Sequence, residues 1–270
     1  MVLQALRSLV FYALFLGQTV ILALILGTYA LFVRHRTIFG WRIGQYWGNS
    51  NLFFLRWIVG VRTRVTGGEN MPAGPCIIAS KHQSDWDIFA ILPFTTRPAF
   101  IAKKELMRIP FFGWAASSID TIEIDRSLGA EAIPRMLQSA RAALDRGCQI
   151  VIFPEGTRKQ PLAPPDYRQG IVRMYEALNV PVVPVALNSG LCWSRNSLIL
   201  WPGTATARFL PPIPPGLPPE VFRARLIAAI EDNTNDLIRK AVEDGLSRPI
   251  PSSWLDRLRE LAGNGRATTD

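Results

Sequence analysis

Acidic side chains are absent from the first 68 residues of this chain, and histidine is almost absent from all 270, occurring only as His35 and His82. Any imidazole chemistry therefore has two candidates. The same 68 residues carry seven arginines (Arg7, Arg34, Arg36, Arg42, Arg56, Arg62 and Arg64) out of a formal net charge of +9. Setting those seven aside leaves 23 basic against 21 acidic residues. The bulk of the chain is thus near neutral and offers no broad basic face for nucleic acid. Only three cysteines occur, Cys76, Cys148 and Cys192, too scattered for a disulfide framework or a metal-ligand spacing. They suit a reducing compartment. There is no internal repeat and no G-x-S-x-G nucleophile elbow. Ser80 and Ser84 lie too close to His82 for the strand-turn-helix arrangement of a serine hydrolase.

Charge is missing again from Leu9 to Val33, where Gln18, Thr19 and Thr28 are the clearly polar members. As a helix rising ~1.5 Å per residue this run reaches about 37 Å, enough to cross a ~30 Å hydrocarbon core with tilt. Arg34-His35-Arg36 follows it in place of a small-residue cleavage site, so a retained membrane anchor is expected, as a single span or a hairpin in one leaflet. The positive cluster Arg34, Arg36 and Arg42 after the run places the following domain on the cytoplasmic side of the cell membrane, with Arg7 opposing. From Trp41 to Val61 aromatics alternate with single arginines, as in an interfacial helix, although a core helix with an aromatic stripe has the same pattern.

Beyond Gly67-Gly68, short apolar runs alternate with helical stretches, which predicts an α/β domain: a mixed, mostly parallel sheet with helices on both faces. Expected strands are Arg62 to Thr66, Cys76 to Ser80, Ala99 to Ala102, Thr121 to Ile124, Gln149 to Phe153, Val182 to Leu187 and Thr204 to Phe209. Expected helices are Ile88 to Leu92, Phe112 to Ser117, Ala130 to Arg146, Gly170 to Leu178 and, after a stiff Pro-rich connector at 211–219, Val221 to Val242. The organisation reads as an anchor and interfacial helix at 1–60, a catalytic domain at 61–250 and a C-terminal tail at 251–270.

His82 ends the Cys76 to Ser80 run and is followed five residues later by Asp87, an HxxxxD pair. A histidine can act as a general base, and a carboxylate on its other nitrogen fixes its tautomer. Such a pair is as often structural as catalytic. Its company is informative: Lys104-Glu105-Leu106 with Ile109-Pro110-Phe111-Phe112-Gly113, then Phe153-Pro154-Glu155-Gly156-Thr157-Arg158, then Val180-Pro181-Val182-Val183-Pro184-Val185-Ala186. These four blocks, in this order, resemble the glycerolipid acyltransferase family, and most closely its bacterial 1-acyl-sn-glycerol-3-phosphate acyltransferases. The resemblance spans roughly Trp57 to Pro212. Lys81 stands where that family often has asparagine, which adds a positive charge beside the histidine.

The resemblance implies transfer of a fatty acyl group from an acyl thioester, acyl-CoA or acyl carrier protein, to the free hydroxyl of a lysophospholipid, giving phosphatidic acid in phospholipid biosynthesis. It implies His82 and Asp87 as catalytic base and orienting carboxylate. Arg158, Lys104 and Arg126 are then candidates for the acceptor phosphate, with Lys103 beside them. Glu155, Gly156 and Thr157 would form an acceptor-site loop, Glu155 shaping it or touching the glycerol. Phe111, Phe112 and Trp114 would border an acyl channel or belong to the core. No metal and no cofactor beyond the acyl-carrying co-substrate is expected. Other acceptors, a lyso-ornithine lipid or glycerol 3-phosphate, are the nearest alternatives; a non-catalytic protein binding anionic lipid is an alternative of another class.

Overall fold

The computed structural model describes residues 1–33 and 38–264. Arg34, His35 and Arg36, and the tail at 265–270, lie outside the described residues. Two helices come first, α1 (Val2–Phe32) and α2 (Ile38–Phe54), the latter continued by a π-helical turn at Leu55–Val59. Then come β1 (Val61–Thr66), β2 (Ile77–Ser80), α3 (Trp86–Ile91), β3 (Pro98–Lys103), α4 (Lys104–Met107), α5 (Phe112–Ser117) and β4 (Ile122–Ile124). The chain continues through α6 (Ala132–Asp145), β5 (Gln149–Ile152), α7 (Gly170–Leu178), β6 (Val182–Leu187), β7 (Gly203–Phe209), α8 (Pro219–Glu243) and α9 (Ser252–Asn264). The short helix α4 interrupts a block whose apolar residues carry no helical period long enough to announce it.

The strands form one sheet in the order β1-β7-β6-β2-β5-β3-β4, parallel throughout except for the β6–β7 pair. The central strands β2, β5 and β6 are buried at every position and almost continuously apolar, because both faces are covered, as parallel sheets require. Alternation sorts them: Ile77, Ile150, Ile152 and Val182 pack with α6, α7 and α8 on one face. Ile78, Val151, Val183 and Val185 pack with α3, the π-helical turn and Phe11 of α1 on the other. Pairing of Ile78 with Val151 and of Ile77 with Val182 aligns the C-terminal ends of β5, β2 and β6. The chain segments leaving those ends build the site.

The apolar N-terminal run is one continuous helix without a hairpin break, and it lies against the domain along its length. Its inward stripe, Gln4, Ser8, Phe11, Phe15, Thr19, Leu22 and Leu26, follows the spacing of one helical face. Gln4 Nε2 donates to the Leu200 carbonyl at 2.7 Å, and Ser8 Oγ accepts from the Leu200 N–H at 2.9 Å. Thr19 Oγ1 accepts from Trp47 Nε1 at 2.8 Å, which ties α1 to α2. Near its C-terminal end a Cβ on Gly27 would stand only 2.6 Å from the Phe111 carbonyl oxygen, so glycine permits the closest approach to α5. The opposite face leaves Leu3, Leu6, Leu9, Leu16, Val20 and Ile21 exposed. Exposed Tyr46, Phe53 and Trp57 add to this apolar surface from α2 and its π-helical turn. A patch of this kind marks an interaction surface.

Candidate active site

His82 stands two residues past β2, in the segment between that strand and α3. Its Nδ1 lies 2.9 Å from Asp87 Oδ2. Asp87 is fully buried and held from all sides: Oδ2 accepts the N–H groups of Gln83 (2.7 Å) and Ser84 (2.9 Å), and Oδ1 accepts the hydroxyls of Ser84 and Ser189. The five-residue spacing works because the first turn of α3 folds Asp87 back over the loop that carries His82. An ionised carboxylate only accepts, so the hydrogen sits on Nδ1 and the lone pair on Nε2. The imidazole stacks on the Phe153 ring, 3.9 Å between centroids and 18° between planes. Gln83 Oε1 accepts from the Gly190 N–H at 2.9 Å, which fastens the loop to the segment after β6.

The strand order brings the third block to the first. Phe153 leaves β5, and the turn Phe153-Pro154-Glu155-Gly156 closes with the Gly156 N–H donating to the Phe153 carbonyl at 2.9 Å. Gly156 has φ of +68°, a left-handed conformation that favours glycine. Lys159 N–H then donates to the His82 carbonyl at 2.7 Å, stitching the two loops together. Arg158 emerges beside Asp85, its Nη1 2.9 Å from Asp85 Oδ2. Burial pushes the Asp85 carboxyl above its ordinary range, with Arg158 and His82 pulling it back.

Of the two readings of Glu155, shaping the loop and touching the glycerol, the structure favours the first: Glu155 is wholly buried, with Oε1 2.8 Å from Lys81 Nζ. Lys81 in turn is 2% exposed and also contacts Glu231 of α8 at 2.7 Å, and Tyr167 donates its hydroxyl to the same Glu231 oxygen. A lysine can be buried here because two carboxylates meet it. Burial drives the Glu155 carboxyl upward, against the attraction of Lys81. Lys104 stands off the lining of the cleft, its ammonium paired with Asp125 at 2.8 Å, a contact that with Ser127 lowers the Asp125 carboxyl to about 2. Its neighbour Lys103, at the end of β3, borders the cleft instead. The side chain of Arg126 lies outside the described part of the structure.

A cleft of about 1380 Å³ opens at His82. Its rim carries Lys103, Arg158, Arg168 and Arg195, together with Asp85, Gly156 and Thr157. Its depth is apolar, between Leu22 and Leu26 of α1, Ile43 of α2, Phe112 of α5 and Ile133 and Met136 near the start of α6. Of the three aromatics expected at an acyl channel, Phe112 lines the cleft, whereas Trp114 is exposed and packs on Phe111. Sequence reasoning missed Ser189, Asp85, Arg168 and Arg195. Asp85 lies inside the HxxxxD segment, but its partner Arg158 is 73 residues away, and the other three arrive through the order of strands or a long loop.

An imidazole tied through Nδ1 to a buried carboxylate, set between a cationic rim and a deep apolar slot, can take a proton from a hydroxyl whose owner has both an anionic head and a hydrocarbon chain. Residues 62–188 match the family model described as Acyltransferase. The 1-acyl-sn-glycerol-3-phosphate acyltransferase of Pseudomonas aeruginosa is 33% identical over 204 residues, 74% of this chain and 78% of that protein. The 1-acyl-sn-glycerol-3-phosphate acyltransferase alpha of Mus musculus is 28% identical over 80% of this chain and 75% of its own length. The crystal structure of the 1-acyl-sn-glycerophosphate (LPA) acyltransferase PlsC from Thermotoga maritima shares the fold, with a TM-score of 0.70, 24% identity, and coverage of 87% of this chain and 97% of that one. This chain belongs to the glycerolipid acyltransferase family, among relatives named 1-acyl-sn-glycerol-3-phosphate acyltransferases.

Proposed function

We propose that this enzyme transfers a fatty acyl group from an acyl thioester to the free hydroxyl of 1-acyl-sn-glycerol-3-phosphate, giving phosphatidic acid. The observation that carries this is the His82–Asp87 pair at 2.9 Å, opening onto an apolar cleft with a cationic rim. His82 Nε2 takes the hydroxyl proton as the acceptor oxygen attacks the thioester carbonyl, and Asp87 stabilises the imidazolium formed. Collapse of the tetrahedral adduct breaks the C–S bond, and the proton passes from His82 to the leaving thiolate. The thioester is already activated, so no acyl-enzyme intermediate is needed, and holding the two substrates together contributes much of the rate.

Arg158 is the main ligand for the acceptor phosphate, because its guanidinium stands on the rim with only one of its donors engaged among the described residues, and Lys103 assists from the end of β3. The apolar depth takes acyl chain. We place the outward leucines of α1 and the exposed aromatics of α2 and its π-helical turn in the headgroup boundary of the cytoplasmic leaflet, so that α1 lies in the membrane surface and the cleft draws on lipid concentrated in two dimensions. The test is acyl transfer by purified full-length protein in vesicles, with acyl-CoA and acyl carrier protein donors and a panel of acceptors: 1-acyl-sn-glycerol-3-phosphate, lyso-ornithine lipid and glycerol 3-phosphate. Turnover restricted to another acceptor, or full turnover by His82→Ala, overturns the proposal.

A further inference from the structure

We propose that Asp85 is a built-in counter-ion that holds Arg158 until the acceptor phosphate displaces it, and recaptures Arg158 when product leaves. This rests on Arg158 being the phosphate ligand. The two side chains line the same cleft as His82 and meet at 2.9 Å. Among the described residues this is the one hydrogen bond of the Arg158 guanidinium, while its backbone carbonyl is held separately by Arg195 Nη1 at 3.0 Å. Among the described residues the Asp85 side chain hydrogen-bonds to Arg158 alone. It occupies the position just before α3 but makes no side-chain cap, in contrast to Asp87, which binds two backbone N–H groups.

The placement makes sense only as a displaceable contact. Asp85 and Arg158 are each about a third exposed, at 34% and 36%, so the pair is a weak contributor to folding. A carboxylate left in place beside a phosphate would repel it, and burial already works against the ionised form of Asp85. Displacing the pair lowers the apparent affinity for phosphate without abolishing it. Acceptor and product carry the same phosphate, so Arg158 alone cannot tell them apart. A counter-ion that re-pairs with Arg158 limits retention of product and keeps the guanidinium aimed at the rim between turnovers.

The test uses full-length protein in vesicles and compares wild type with Asp85→Asn, Asp85→Ser, Arg158→Ala and Asp85→Asn/Arg158→Ala. The readouts are KM for 1-acyl-sn-glycerol-3-phosphate and the inhibition constants of inorganic phosphate and of phosphatidate. Both Asp85 variants are expected to lower all three by about fivefold, the scale of a weak ion pair. Arg158→Ala should raise them, and in its background Asp85→Asn should have no effect. If Arg158→Ala raises the constants but neither Asp85 variant lowers them, the counter-ion role is overturned and Arg158 remains the phosphate ligand. If Arg158→Ala leaves them unchanged, the phosphate assignment fails and the counter-ion role with it. Inhibition by phosphatidate that tightens without a matching change for inorganic phosphate places the effect on the lipid, not on its phosphate, and also overturns the inference.

Discussion

Lys81 Nζ lies 2.8 Å from Glu155 Oε1, so the residue just before the base is bolted to the middle of the Phe-Pro-Glu-Gly-Thr-Arg turn. With Glu231 at 2.7 Å on the other side, one ammonium joins the ends of β2 and β5 to α8. The relative placement of His82 and Arg158 is thereby set from beneath the cleft by charges that never enter it. Removing one partner of a buried pair leaves an uncompensated charge, at roughly 3–5 kcal/mol. Lys81→Met is therefore expected to lower thermal stability by about that amount, read as a fall in the unfolding midpoint in detergent. A midpoint within error of wild type would mean that the two glutamates need no cation.

The base itself should be separable from the fold. His82→Ala is expected to reduce kcat by about 10²–10⁴-fold, the usual worth of a general base, while the unfolding midpoint changes far less than in Lys81→Met. Asp87→Asn should also lose rate, because an amide in place of the carboxylate no longer fixes the Nδ1–H tautomer or stabilises the imidazolium. Steady-state kinetics beside a thermal melt checks both. Unchanged kcat in Asp87→Asn would remove the orienting role.

Those residues were legible for different reasons. The strands show in the sequence because the buried central ones are nearly continuous apolar runs, and the HxxxxD pair because its spacing lies within one loop and one helical turn. Strand order is not written locally, so Ser189 behind Asp87 and the meeting of Lys104 with Asp125 were invisible. Lys81 showed only as a positive charge beside the histidine, since the carboxylates that make its burial tolerable lie 74 and 150 residues away. In α1 the apolar run overshadowed the informative residues: Gln4 and Ser8, outside the run, show which face turns to the domain.

A pH dependence follows from Asp85. Its carboxyl is raised from 3.8, chiefly by burial, with Arg158, His82 and Asp87 as its charged neighbours and Tyr12 facing both Asp85 and Arg158. A raised carboxyl means that the folded protein binds this proton more tightly than the unfolded chain. Its stabilising contribution is full below the unfolded value and is lost as pH rises through the folded one. Asp85→Asn cannot ionise and escapes that loss. The difference in unfolding midpoint, Asp85→Asn minus wild type, should therefore grow as pH rises from about 4 toward neutrality. A difference that shrinks over that range would show that Arg158 outweighs burial.

Docking of α1 can be tested with two glycines of the same helix. At Gly27 a new Cβ would lie 2.6 Å from the Phe111 carbonyl oxygen and 2.8 Å from its Cα, backbone atoms that cannot yield without moving α5. At Gly17 nothing stands within 4 Å. Gly17→Ala is expected to be neutral or to stabilise by up to about 1 kcal/mol through helix propensity. Gly27→Ala should destabilise and, because Leu26 and Phe112 flank that contact and line the cleft, should raise KM for long-chain acyl donors more than for short ones. Measuring both variants with donors of graded chain length separates the outcomes. Equal behaviour of the two glycines would mean that α1 is free of the catalytic domain, and that the apolar depth of the cleft is not closed by it.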